Sequence, residues 1–212
     1  MTNKKDKLNK FSVPLGLLDY INPILYTITI ITIINNVSIN APYQTIMLIG
    51  GIISIIFGFI IPTGKVIVGL GIIEFRMPVS LVFCVNSGIF LSGLMLLKYV
   101  FNIKLIILLI IGLIIFSLLF MTYIKSKKIN TIAVLTGAFG YLMFYISLIT
   151  LSIRNNYVLP IILYGLAIIL FIMLCGIGIK ANLKNPKVHW VIEISNVICQ
   201  LLVAISTIIL FK

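Results

Sequence analysis

Charge is what this chain has least of. Only 9% of its 212 residues are Asp, Glu, Lys or Arg, where a soluble domain carries about 25%. Its acidic side chains are Asp6, Asp19, Glu74 and Glu193. The single histidine, His189, excludes di-histidine metal motifs such as H-E-x-x-H. Three cysteines, Cys84, Cys175 and Cys199, all lie in apolar runs and form no C-x-x-C pair. Neither a disulfide framework nor a zinc site is expected from them, and small apolar packing is their simplest role. No G-x-S-x-G elbow occurs, so an enzyme has no positive signature here and no metal or other cofactor is expected.

What the chain does have is apolar length: 61% of its residues are hydrophobic and the mean hydropathy is +1.26. A water-soluble globule could not hide so much apolar surface, and disorder demands the opposite composition. The class that remains is an all-α, polytopic integral membrane helical bundle. A spanning helix needs about 20 mostly apolar residues. Seven stretches qualify, at residues 17–34, 43–61, 79–100, 105–124, 130–153, 158–179 and 188–210. They predict a basic tail over 1–16 and one seven-helix transmembrane domain over 17–212, with no loop long enough for a soluble domain. The polar start followed by a long apolar run reads as a signal anchor rather than a cleaved peptide.

The cations set the expected orientation. With the N-terminus inside, the inner segments hold Lys4, Lys5, Lys7, Lys10, Lys65, Arg76, Lys125, Lys127, Lys128, Lys180, Lys184 and Lys187. The outer side holds only Lys98, Lys104, Arg154 and Lys212. This positive-inside bias predicts an N-terminus inside and a C-terminus outside. The net charge of +12 then reflects topology and attraction to anionic lipid headgroups on the cytoplasmic side. A nucleic-acid partner is not expected, because the basic residues form no stripe with interleaved aromatics. The excess of Lys over Arg, with abundant Ile and Asn, fits an AT-rich bacterial genome and hence a bacterial plasma membrane.

Several short motifs resemble functional ones and fail on spacing. Gly58 and Gly64-Lys65 stand one residue too far apart for a phosphate-binding loop, and Val66 replaces the required Ser or Thr. Gly69-Leu70-Gly71 lacks the third glycine of a dinucleotide fingerprint. Small residues recur every four positions in span 2 (Gly50, Ser54, Gly58) and span 3 (Ser80, Cys84, Gly88, Ser92). Such stripes let helix backbones approach closely, either within the chain or at the face of a homo-oligomer or other membrane partner. Residues 62–78 form an apolar, glycine-broken stretch ending near Glu74 and Arg76, expected as an interfacial or re-entrant segment.

The candidate site lies on two polar stripes. At 100° per residue, His189, Glu193, Asn196, Gln200 and Thr207 share one face of span 7. Asp19, Asn22, Tyr26 and Thr29 share a face of span 1, and Pro23 interrupts the backbone ladder beside Asn22. Both stripes start at the expected inner side, and Asn86 and Thr136 lie at comparable depth. An ionisable group within a span costs about 2.5–3.5 kcal/mol and faces the bundle interior or a wet cavity. Glu193 is the most costly, and Arg76 and Lys65 are its candidate counter-ions or gates. Trp190 reads as an interface anchor.

Three functional readings follow. In the first, the chain is a small-solute permease or carrier, with Glu193, Asn196, Gln200, Asp19, Asn22 and Tyr26 lining a substrate or proton path. In the second it is a non-transporting subunit or scaffold that binds other transmembrane helices through those stripes. In the third it modifies lipids, with Glu193, Asp19 and His189 converging as acid and base. Paired Asn and Pro positions around spans 2, 3, 6 and 7 also suggest two parallel three-helix units joined by span 4. Some sugar carriers use that pattern, and the likeness is one of pattern alone.

Overall fold

The computed structural model describes residues 12–72, 79–126, 129–180 and 186–212. Among them the elements are all helical: α1 Val13–Asp19, α2 Ile21–Asn36, α3 Ala41–Gly69, α4 Val79–Phe101, α5 Leu105–Ser126, α6 Ile129–Arg154, α7 Val158–Lys180 and α8 Pro186–Leu210. Six stretches are long and apolar enough to cross a membrane, α1 and α2 together making the first, Val13–Asn36. α5, a helix of 22 residues, adds a seventh. The chain is therefore an all-α multi-pass membrane bundle. Large apolar side chains such as Ile106, Leu113 and Ile172 point outward, where lipid replaces water.

The helices α2, α3, α4, α6, α7 and α8 pack in chain order into a closed ring, with α8 returning to α2. α5 stands outside it, against α6 and the edge of α4. One end of the ring is solid. There Ile33, Met47, Leu96, Leu148 and Tyr164 are fully buried, and the Tyr164 and Thr207 hydroxyls pair at 2.9 Å.

Lipid supplies no hydrophobic drive between helices, so close packing has to hold them together. Along α3 and α4, a Cβ on Gly50 would stand 2.7 Å from the Gly88 carbonyl oxygen, and one on Gly88 would strike Gly50 and Ser54. Two hydroxyls stitch this seam. Ser54 donates to the Val85 carbonyl at 2.8 Å and Ser92 to the Met47 carbonyl at 3.0 Å. Gly93 and Gly140 bring α4 and α6 together in the same way, a Cβ on Gly93 lying 2.5 Å from the Gly140 carbonyl oxygen. Gly50, Ser54, Gly88 and Ser92 of the small-residue stripes thus meet within the chain, whereas Ser80 is exposed.

At the other end of the ring the structure departs from the expected boundaries. The first helix begins at Val13, capped by Ser12, four residues before the expected start at Leu17. α3 continues past Pro62 to Gly69, eight residues beyond the expected end of span 2. Residues 62–69 are therefore helical rather than an interfacial or re-entrant stretch; residues 73–78, with Glu74 and Arg76, lie outside the described residues. The short α1 explains the extension by lying antiparallel along it. A Cβ on Gly69 would meet Val13 N at 2.8 Å, and one on Gly16 would meet the Val66 side chain at 2.7 Å. Tyr20 and Thr63 share a hydrogen bond of 2.6 Å. Pro62 leaves the Gly58 carbonyl without its helical donor, which a helix buttressed by a neighbour tolerates.

Adding a methyl at the α3–α4 seam should therefore be costly, whereas Gly112 on α5 faces open space. Gly88→Ala is expected to lower unfolding stability in detergent by about 1–3 kcal/mol. Gly112→Ala should change it by no more than about 0.5 kcal/mol. Equal stability of the two variants would show that the seam is not tightly packed.

Candidate functional site

The site begins where the first helix breaks. Pro23 has no N–H to offer the Asp19 carbonyl, and the hydrogen-bond ladder is interrupted at Tyr20, between α1 ending at Asp19 and α2 starting at Ile21, while Tyr20 itself keeps helical backbone. Asp19 shares the inward face of Asn22 and Tyr26 and is 7% exposed. Lys65, which the cation tally places in an inner loop, instead projects from the extended part of α3 into the same interior. Removing it from that tally leaves the inner excess of cations intact.

Lys65 Nζ donates to Asp19 Oδ2 at 2.7 Å and also to Glu193 Oε1. Asn22 Nδ2 supports the triad by donating to the other Asp19 oxygen at 2.9 Å. An ammonium and two carboxylates, each nearly buried, thus tie α1, α3 and α8 at one point. In so apolar a setting, attraction offsets the desolvation of charge only with such close geometry and extra hydrogen bonds.

Beside the triad opens a cavity of about 360 Å³, lined by every helix except α5. It reaches from Asp19, Lys65 and Glu193 to Tyr26, Tyr141 and Gln200. Seven residues separate Glu193 from Gln200, a helical rise of about 10 Å. Gln200 Nε2 donates to the Tyr141 hydroxyl at 2.8 Å, closing the deep end. Among the described residues Asn22 Oδ1 is buried and meets no hydrogen-bond partner. The Ser54 and Ser92 hydroxyls donate to backbone carbonyls and keep lone pairs that accept from the Tyr26 hydroxyl, whose own oxygen remains an unused acceptor.

The cavity brings together all six residues expected on a path: Asp19, Asn22, Tyr26, Glu193, Asn196 and Gln200. Lys65, expected as a counter-ion for Glu193, contacts Asp19 as well. Arg76, the other expected partner or gate, lies outside the described residues. His189 is partly buried but does not line the cavity. Among the described residues no three His, Cys, Asp or Glu side chains group to hold a metal. Asn86 lines the cavity, though its amide is engaged, donating to the Ala133 carbonyl at 2.6 Å.

Sequence reading alone passes over Tyr141 and Phe171, whose rings lie 5.1 Å apart in the opposite wall. The signal for Tyr141 was one of spacing. Val134, Gly137, Ala138 and Tyr141 on α6 line the cavity at the same intervals as Asp19, Asn22, Pro23 and Tyr26 on α1 and α2. No family model, curated protein or solved structure matches the chain.

The triad makes a sharp energetic prediction. Lys65→Met leaves two carboxylates facing each other without a cation, and should destabilise the protein by about 3–5 kcal/mol. Adding Asp19→Asn and Glu193→Gln to Lys65→Met should restore most of that loss. Unfolding in detergent reads both effects. A single Lys65→Met variant as stable as wild type would show that the three groups do not depend on one another.

Proposed function

We propose that the chain is a small-solute permease of a bacterial plasma membrane, with its N-terminus inside and a polar path between its first and last spans. One observation carries this reading: the polar stripes of two distant segments converge on a single cavity lined by Asn22, whose buried Oδ1 has no hydrogen-bond partner. Buried polar groups are normally paired, and unpaired ones that face a cavity are suited to a ligand that arrives and leaves. The cavity reaches the middle of the bundle, the depth at which carriers hold their substrates.

In this reading Glu193 binds a cationic group of the solute or carries a proton, and Lys65 is its resident counter-ion. Asp19 and Asn22 hold Lys65 in place, while Tyr26, Asn196 and Gln200 line the path. Anionic headgroups would be held by the inner cations. The scaffold reading has less support, because both stripes face the cavity and away from any helix that could dock from the lipid. A lipid-modifying site would need His189 to converge with Asp19 and Glu193, and His189 does not line the cavity.

Proteoliposomes provide the test. They would be incubated in a bacterial small-molecule extract, washed, and their contents analysed by mass spectrometry. At least one solute should be enriched over protein-free liposomes, and Glu193→Gln should reduce that enrichment at least about tenfold. Undiminished enrichment in Glu193→Gln would remove Glu193 from the path, and no enrichment of any solute would remove the permease reading.

A further inference from the structure

The two walls of the cavity differ in chemistry, and the difference selects a ligand. The wall built by α1, α2, α3 and α8 holds two carboxyl groups, Asp19 and Glu193, against the Lys65 ammonium. It also holds the unpartnered Asn22 Oδ1 and the Tyr26 hydroxyl. Asn22 and Tyr26 are 9% and 7% exposed, and both line the cavity. The Asn22 amide nitrogen is committed to Asp19, which leaves an oxygen that only accepts hydrogen bonds. The Tyr26 oxygen accepts as well. Two carboxyl groups, an amide oxygen and a phenol oxygen together call for N–H donors that carry positive charge. An anion would face two carboxyl groups and leave Asn22 Oδ1 unpaired.

The wall built by α4, α6 and α7 is apolar. Val82, Val85, Ile89, Val134 and Leu174 form it, with the Phe171 ring against Tyr141. The Nδ2 of Asn86 is committed to the Ala133 carbonyl, which leaves an acceptor oxygen on this wall as well. An inorganic cation would satisfy the carboxylates and leave this wall unmatched. An aromatic or aliphatic body would fill it, and the neighbouring rings favour a cation held close to their faces.

The geometry points to an organic cation, a protonated primary amine with an apolar body, as the ligand of this cavity. The inference rests on the permease reading for passage across the membrane, and on the cavity walls alone for binding. The ligand's ammonium takes Lys65's place on Glu193 and reaches Asn22 Oδ1 and Tyr26, while Lys65 stays with Asp19. Two carboxylates then face two ammonium groups. At about 360 Å³ the cavity suits a single small molecule.

The test titrates purified protein in nanodiscs with phenethylamine, phenethyl alcohol, hydrocinnamate and phenethyltrimethylammonium. These probes share one apolar body and differ in charge and in N–H donors. Calorimetry reads affinity, and Trp190, three residues before Glu193 on α8, gives a fluorescence signal. Phenethylamine should bind at least about tenfold more tightly than the alcohol, and hydrocinnamate should not bind. Glu193→Gln should weaken the amine about tenfold or more. Tyr26→Phe, which keeps the ring and the fold, should weaken the amine and leave the trimethylammonium probe unchanged. Alcohol or acid binding as tightly as the amine, or no probe binding at all, overturns the ligand class. Flux measured in parallel in proteoliposomes separates the two ideas. Binding without flux keeps the ligand class and overturns the permease, whereas flux of other solutes without amine binding does the reverse.

Discussion

A lysine ammonium sits inside a bundle with almost nothing else ionic in it, and the surrounding architecture answers to that charge. An ammonium there requires anions within hydrogen-bond reach, and the chain supplies them from its first and last helices. Three consequences follow from that contact. Asp19 faces inward from the end of α1, on the face it shares with Asn22 and Tyr26. α3 runs on past Pro62 to carry Lys65 to the same point. α8 closes the ring against α2 with Glu193 at the junction. One carboxylate alone would neutralise Lys65. The second carboxyl group is a further ionisable group buried at an energetic cost, and stability by itself gives no reason to keep it.

Elsewhere the bundle is held by contact between backbones. Glycines and serines place α3, α4 and α6 so near one another that a single methyl group would collide with a carbonyl. The same device joins α1 to α3 at Gly16 and Gly69, so the charged wall shares it and adds the side-chain bonds of Lys65.

Much of this was legible in the sequence because helical periodicity survives where hydropathy is otherwise uniform. In spans made almost wholly of Ile and Leu, five polar residues on one face of α8 stand out, and the same holds for Asp19, Asn22 and Tyr26. Lys65 was legible as a counter-ion but was placed in a loop. A proline followed by two glycines reads as a helix end, and only the packing of α1 against α3 overrides that signal. Tyr141 and Phe171 were not legible, since an aromatic residue in an apolar helix is indistinguishable from core packing until its neighbours are known. The small-residue stripes showed their spacing but not their partners; the partners proved to be each other.

The position of α5 has a consequence of parity. Three helices connected by short turns end on the side opposite to their start, so a second set following directly would run upside down. One extra crossing, outside the ring, restores the original direction. α6 thus enters the cavity the same way up as α2, and Tyr141 meets the lumen at the level of Tyr26. On these two segments the lining positions recur at the same intervals but carry unlike residues, Asp19, Asn22 and Pro23 on one and Val134, Gly137 and Ala138 on the other, with a tyrosine closing each.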